Sequence, residues 1–114
     1  MKTPLFIDNN GDILVFESVQ DAENWIEPID VRNGEYEAFD AEGCLLRLTL
    51  EKEPGFWKFA CETVKISSAE NEPSHADELR KRLLRFLKVA NDRPIDDNAS
   101  LSQLVNTARR FAIK

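Results

Sequence analysis

The sequence predicts an α+β fold, with a mostly antiparallel five-stranded sheet, one short helix and two C-terminal helices in the order ββαβββαα. Between residues 5 and 68, short apolar segments are separated by turns that contain glycine or proline, as in antiparallel strands. After residue 74, apolar residues recur every three or four positions, as on the buried face of a helix. Strands followed by helices indicate a single α+β domain over residues 1–114.

The first two strands are predicted on either side of an Asn-Asn-Gly turn at residues 9–11. The flanking runs, 5–7 and 13–16, are apolar on both faces, so both strands are expected in the centre of the sheet. Ser18 is predicted to cap a short helix, which Pro28 is expected to end.

The third and fourth strands are predicted as the hairpin "EYEAFDAEGCLLRLTLE", with a type I turn whose Gly43 is left-handed. This turn places alternate residues on the core face in the pairs Asp40–Cys44, Ala38–Leu46 and Tyr36–Leu48. The opposite face then carries the pairs Phe39–Leu45, Glu37–Arg47 and Glu35–Thr49.

Phe39 and Leu45 therefore lie beside acidic residues, and two interpretations are open. In the first, a helix covers this face as well, and both side chains belong to the core. Alternatively, the pair is an exposed apolar patch rimmed by charge, which is typical of a partner site.

A fifth strand is predicted over residues 56–67, "FWKFACETVKIS", after a turn at Glu53–Gly55. Ser74 is a candidate cap for the next helix, and Ser100 for the last one with Gln103 as its capping-box partner.

Charge is unevenly distributed along a chain whose net charge is −6. Residues 1–57 hold 13 acidic and 4 basic side chains, whereas residues 58–114 hold 8 acidic and 11 basic ones. An acidic surface attracts basic proteins and repels nucleic acid. The alternative is that the acids only keep the protein soluble.

Signals for catalysis are few. His75 is the only histidine, the four glycines are isolated, and Cys44 and Cys61, both on predicted strands, are expected to be reduced, buried and inert. We therefore expect no enzyme, no cofactor and no metal. No signal-peptide core or membrane span is predicted, so a cytoplasmic location is expected.

The predicted helix "RKRLLRFLK", residues 80–88, carries five basic side chains, and the candidate nucleic-acid contacts among them are Lys81, Arg82, Arg85 and Lys88. These could follow a phosphate backbone in a regulatory nucleic-acid-binding module, which is the second functional hypothesis. A solvated helix face is the plainer interpretation, and a small acidic adaptor is a third hypothesis.

Residues 5–48, followed by the segment "ELRKRLLRFLKV" (78–89), resemble small bacterial immunity proteins of polymorphic-toxin and contact-dependent growth inhibition systems. The resemblance extends over about residues 5–89, and its most recognisable segments are "EPIDV" (27–31) and "EYEAFDAEG" (35–43). The resemblance implies a cytosolic antitoxin that binds the C-terminal domain of its cognate toxin and blocks the active site. Immunity proteins against nucleases are often acidic, because the toxin's nucleic-acid-binding cleft is basic.

The predicted partner-binding residues come from the hairpin alone, since the resemblance carries no contact list. Charges for steering and pairing are expected from Glu35, Glu37, Asp40 and Glu42, with Phe39 and Leu45 as the apolar anchor. No nucleic acid or membrane is expected as a partner.

Overall fold

The computed structural model of the protein describes residues 1–54 and 60–113, with residues 53, 54, 60 and 61 described by their backbone alone. Within these residues, five strands form one antiparallel sheet, which confirms the predicted α+β class. They are β1 (Leu5–Asn9), β2 (Asp12–Phe16), β3 (Glu37–Phe39), β4 (Leu45–Pro54) and β5 (Ala60–Ser68). The beginning of the predicted fifth strand, including Trp57, lies outside the described residues, as does the side chain of Cys61.

Four α-helices complete the described part of the chain. They are α1 (Val19–Trp25), α2 (Pro28–Arg32), α3 (Ala76–Ala90) and α4 (Leu101–Ala108), and a 3-10 turn (Arg109–Phe111) follows the last of them. None of these helices has the length and apolar character needed to cross a bilayer.

Helix caps follow the sequence closely at two of three predicted sites. The Ser18 hydroxyl accepts a hydrogen bond from the Asp21 N–H at 3.1 Å, and Ser100 and Gln103 form the predicted capping box. The third prediction is wrong, because α3 begins after His75 and the Ser74 hydroxyl instead donates to the Glu70 carboxylate.

Pro28 begins a second helix, contrary to the prediction that it merely ends the first. Proline suits the first helical position, where its missing N–H needs no partner and its fixed φ is already helical. Gly34, at φ +68°, follows the end of α2 in the left-handed conformation. A proline just inside the start and a glycine just past the end are the expected boundaries of a helix, here a very short one.

The strands lie in the order β2-β1-β3-β4-β5, so β1 is central, as predicted. β2 is at an edge, which contradicts its predicted central place. Its outer side is nevertheless partly covered, because the N–H of Ile113 donates to the Val15 carbonyl at 2.8 Å. The C-terminal stretch therefore covers the edge of β2 at Val15.

Helices cover the sheet on both faces. On one face, α3 and α4 pack over Phe6, Val15 and Phe39 in a first core cluster. On the other, α1 packs over Leu5 and Ile7 in a second cluster, with α2 resting on β4 and β5. Successive side chains of β1 therefore enter different cores, as strand geometry requires.

The predicted hairpin register is confirmed where β3 pairs with β4. Ala38 lies opposite Leu46 and Phe39 opposite Leu45. Because β3 begins only at Glu37, the predicted pair of Tyr36 with Leu48 is not formed within the sheet.

Candidate partner-binding surface

Phe39 is not an exposed apolar anchor, which is the interpretation on which the predicted partner site depended. Only 1% of it is exposed, because α3 covers this face of β3 and encloses the ring in the first core cluster. The guanidinium carbon of Arg82 lies 5.1 Å from the centre of the ring. Leu45 is half-buried at the margin of the same cluster. The interpretation with a covering helix is therefore correct, and neither side chain offers an apolar anchor without rearrangement.

Asp40 is also unavailable as a charge for a partner, since it is 3% exposed. Its carboxylate accepts hydrogen bonds from the backbone N–H groups of Lys2 at 3.2 Å, Glu42 at 2.9 Å and Cys44 at 2.9 Å. These bonds build the hairpin turn and hold the N-terminal segment against it. A carboxylate engaged in this way has a structural role.

Glu37 lies on the α3 side of the sheet and is bound to Arg82 at 2.9 Å. Arg82 also binds Asp8 at 2.8 Å and Glu78, so that one guanidinium connects α3 to β1 and β3. Burial disfavours its charge, but the hydrogen bonds to Glu78 and Asp8 outweigh this and raise the pKa of Arg82. The charge of Glu37 is therefore largely matched within the molecule.

The basic helix has most of its charges engaged. Lys81 binds Asp77 at 3.1 Å, Lys88 binds Asp97, and Arg80 donates to the Ala99 carbonyl at 2.9 Å. Nucleic acid would have to compete with these acids and with the partners of Arg82. The arrangement thus favours a solvated face on α3 over a phosphate-binding one.

Glu35 and Glu42 are exposed, as their predicted role requires, but they do not form one patch with the other predicted residues. Glu42 lies at the hairpin turn. Burial has the largest effect on the Cys44 thiol and raises its pKa. The negative charges of Asp40, Glu70 and Glu42 raise this pKa further, in that order. Cys44 is a free, half-buried cysteine with a protonated thiol, and such a thiol is a poor nucleophile.

Glu35 belongs to an acidic cluster on the opposite side of the sheet. The Tyr36 hydroxyl donates to the Asp30 carboxylate at 3.0 Å. Burial, this hydrogen bond and the charges of Asp30, Glu35 and Glu27 raise the pKa of Tyr36 to about 12. A hydrogen bond with Asp30, followed by burial and the charge of Asp30, raises the pKa of Glu35. The Tyr36 hydroxyl is therefore bound by the Asp30 carboxylate and lies near those of Glu35 and Glu27.

An exposed apolar side chain lies next to this cluster in the chain. Ile29, on α2 between Glu27 and Asp30, is 58% exposed. We call Glu27, Ile29, Asp30, Glu35 and Tyr36 the α2 acidic surface. Apolar exposure rimmed by acids, which the sequence pattern assigned to Phe39 and Leu45, occurs here instead.

The α2 acidic surface was missed at the sequence level because α2 itself was not predicted. Residues 17–42 carry nine acidic side chains and a single basic one, Arg32, which binds Glu62. Among the ion pairs of the described residues, none involves Glu27, Asp30 or Glu35. The signal that could have located the surface is the spacing of Pro28 and Gly34.

A groove of about 570 Å³ lies beside this surface, between α1 and the outer side of β5. Apolar side chains in its wall include Val19, Ile26 and Val64, and Glu23 and Glu62 are among its polar ones. The Glu23 carboxylate crosses from α1 and accepts a hydrogen bond from the Ile66 N–H of β5 at 2.8 Å. No group of three or more acidic, cysteine or histidine side chains among the described residues is arranged to hold a metal ion.

The fold and this surface together define a small α+β protein with an acidic, partly apolar face on its α1–α2 side. Comparisons of the chain with protein-family models, with curated proteins and with solved structures find no match.

Proposed function

We propose that the protein is an immunity protein, an antitoxin that binds the C-terminal domain of a cognate toxin and occludes its active site. The toxin that fits best is a nuclease with a basic cleft. The observation that carries the proposal is the α2 acidic surface, where Glu27, Asp30 and Glu35 crowd together without a cation from the described residues. The resemblance of residues 27–31 and 35–43 to immunity proteins supports the same class of function.

Electrostatics explains why such a surface favours a basic partner. The raised pKa of Glu35 shows that its charge is disfavoured beside Asp30 in the free protein. Lysine or arginine side chains of a partner would offset the repulsion between the Glu35 and Asp30 carboxylates. Part of the binding free energy would then come from the loss of this repulsion in the complex. An acidic patch also accelerates association with a basic protein, by roughly ten- to a thousand-fold.

Ile29 supplies the apolar contact of the proposed interface with the toxin domain. Side chains at the centre of an interface contribute most of the affinity, whereas charges at the rim mainly change the association rate. We assign Ile29 to the centre, and Asp30 and Glu35 to charge pairing. Glu42, at the hairpin turn, lies outside the α2 acidic surface and has no role in this proposal. Glu37, Phe39, Asp40 and Leu45 keep structural roles in this proposal.

The test is calorimetric titration against the C-terminal domain of the protein encoded immediately upstream, at about 50 and 300 mM salt. We expect one-to-one binding that weakens as salt rises, because ion pairs at the surface are screened. The same domain should lose its toxic activity in the complex. Absence of binding at micromolar concentrations would overturn the proposal.

A pair of matched double variants locates the surface. Asp30→Asn with Glu35→Gln removes two carboxylates from the α2 acidic surface, and Asp12→Asn with Glu72→Gln removes two exposed carboxylates elsewhere. We expect the first to weaken binding about tenfold or more, equivalent to about 1.4 kcal/mol, and the second less than about twofold. Equal losses would show that net charge acts without a specific surface.

A further inference from the structure

β5 is an edge strand whose outward backbone groups can be identified from two hydrogen bonds. The Ala69 N–H donates inward to the Leu45 carbonyl at 2.9 Å, and the Ile66 N–H donates outward to Glu23 at 2.8 Å. Inward and outward residues alternate along an antiparallel edge strand. Glu62 and Val64 therefore direct their N–H and C=O groups away from β4, into the groove beside α1.

β5 is the last strand of the sheet, so no strand in the described part of the chain lies beside these outward groups. Unpaired edge groups are a template for another strand, and proteins block them where pairing is harmful. Glu23 blocks the edge at Ile66. Beside Glu62 and Val64 the groove of about 570 Å³ leaves the edge open.

We propose that an extended segment of the toxin domain binds in this groove and adds a sixth strand to the sheet at Glu62–Val64. This inference rests on the proposed function, and it names the part of the toxin that is held and the backbone that holds it. Main-chain hydrogen bonds supply affinity in this mode of binding, and alternate side chains supply specificity.

The lining of the groove determines the chemistry of the segment. The residue opposite Val64 directs its side chain toward Val19 and Ile26, so it is apolar. The residue two positions away lies opposite Glu62, which already binds Arg32, and near Glu23, whose carboxylate accepts a hydrogen bond from the neutral Ile66 N–H. The charge of Glu23 therefore favours lysine or arginine at this position. A second copy of this chain fits less well, because it would bring another net charge of −6 to the same acidic side.

The direct test is amide hydrogen exchange by NMR in the complex of the whole protein with the toxin domain used above. We expect exchange at Glu62 and Val64 to slow by at least about tenfold, equivalent to about 1.4 kcal/mol of added protection. Exchange at Thr63 and Lys65, whose N–H groups already bond to β4, should change much less. A complex that forms without this alternation overturns the inference and leaves the proposed function intact.

Three variants separate backbone pairing from charge. Both Glu62→Pro and Glu62→Gln remove the carboxylate that pairs with Arg32, but only Glu62→Pro also removes the outward N–H. Ser68→Pro removes an outward N–H beyond the groove. We expect toxin binding to weaken about tenfold more in Glu62→Pro than in Glu62→Gln, while Ser68→Pro binds like the unchanged protein. Circular dichroism confirms folding of each variant, and the amide exchange measurement decides the matter if a proline variant is unfolded.

Equal binding by folded Glu62→Pro and Glu62→Gln would overturn the added strand. Protection of Glu62 and Val64 that appears without toxin and grows with protein concentration would assign the edge to a second copy, which also overturns the inference. Absence of any complex would overturn the proposed function and this inference together.

Discussion

Gly43 is where the hairpin turn and the beginning of α3 meet. Its φ is +92°, and a Cβ atom built on it would lie 2.2 Å from the Cα of Ala76. The Gly43 carbonyl accepts a hydrogen bond from the His75 N–H at 3.1 Å. Glycine is therefore required at this position for two reasons: the backbone is left-handed, and no space is left for a Cβ atom beside α3.

We expect Gly43→Ala to lower the free energy of unfolding by at least about 2 kcal/mol, because left-handed strain adds to an overpacking cost of about 1–3 kcal/mol. Gly11→Ala is the control, since Gly11 has φ +96° and open space around its Cβ position. It should cost only about 1 kcal/mol. Urea denaturation measures both, and equal losses would show that the contact with α3 yields easily.

For Asp40 and Phe39, the alternation of side chains along the strand predicts the pairing partner and the face, but not the exposure to solvent. Their pairing partners and faces were predicted correctly, because side chains alternate strictly along a strand. The burial of Phe39 was left open, since it depends on α3, which follows more than thirty residues later in the chain. The exposed role predicted for Asp40 was wrong, because its carboxylate binds the N–H groups of Lys2, Glu42 and Cys44.

At the scale of elements, Glu70 joins β4, the loop after β5 and the start of α3. Its carboxylate accepts hydrogen bonds from the Leu45 N–H at 2.7 Å and from the Ser74 hydroxyl, and lies 2.9 Å from Nδ1 of His75. The bonds from Ser74 and Leu45 are the main cause of a pKa lowered from 4.5 to about 2, against an opposing effect of burial. The ionised form is thus preferred in the folded protein.

This preference predicts an acid-dependent loss of stability. Unfolding takes up a proton at Glu70 between pH 4.5 and about 2, so its contribution is full above pH 4.5 and is lost as pH falls toward 2. We expect Glu70→Gln to be less stable at neutral pH, with a difference from the unchanged protein that shrinks over this interval.

Thermal unfolding followed by circular dichroism from neutral pH down to about pH 2.5 covers most of the interval in which Glu70 titrates. Glu72→Gln is the control, since Glu72 is exposed and two residues away. A difference for Glu70→Gln that is constant across the range would contradict the assignment.

At the scale of the whole molecule, the two sides of the sheet differ in how their charges are paired. Acids without ion-pair partners gather on the α1–α2 side, whereas α3 carries basic side chains paired with nearby acids. The asymmetry seen along the sequence therefore becomes an asymmetry between faces. An acidic face retained at a cost in repulsion is expected where a partner supplies the opposite charge.

This arrangement predicts that stability and binding change in opposite directions at Glu35. Its raised pKa means that the ionised form is disfavoured in the folded protein, so the penalty is present at neutral pH and disappears as acid protonates the group. We expect Glu35→Gln to unfold at a higher temperature than the unchanged protein at neutral pH and low salt, yet to bind the toxin domain more weakly.

Differential scanning calorimetry at low and high salt measures the first effect, which salt should reduce by screening the repulsion. Glu72→Gln again serves as the control and should show little change. A Glu35→Gln variant that is less stable than the unchanged protein would show that the carboxylate is supported rather than repelled.

Local sequence patterns were sufficient to predict the α+β class, the hairpin register and the caps at Ser18 and Ser100. These features depend on alternation, helical periodicity and turn chemistry within a few residues, which any sequence displays directly. The short α2 was also signalled locally, by Pro28 and Gly34, but five residues are too few for a helical periodicity to stand out.

Which surfaces are exposed to solvent depends on the tertiary packing of elements that are distant in the chain. Arg82 binds Asp8 across 74 residues of chain, and the same docking of α3 buries Phe39 and engages Glu37. The packing of α1 and α2 on the opposite face gathers Glu27, Asp30 and Glu35 and leaves the outer side of β5 open beside a groove. Exposure is a property of distant elements brought together, so no local pattern contains it.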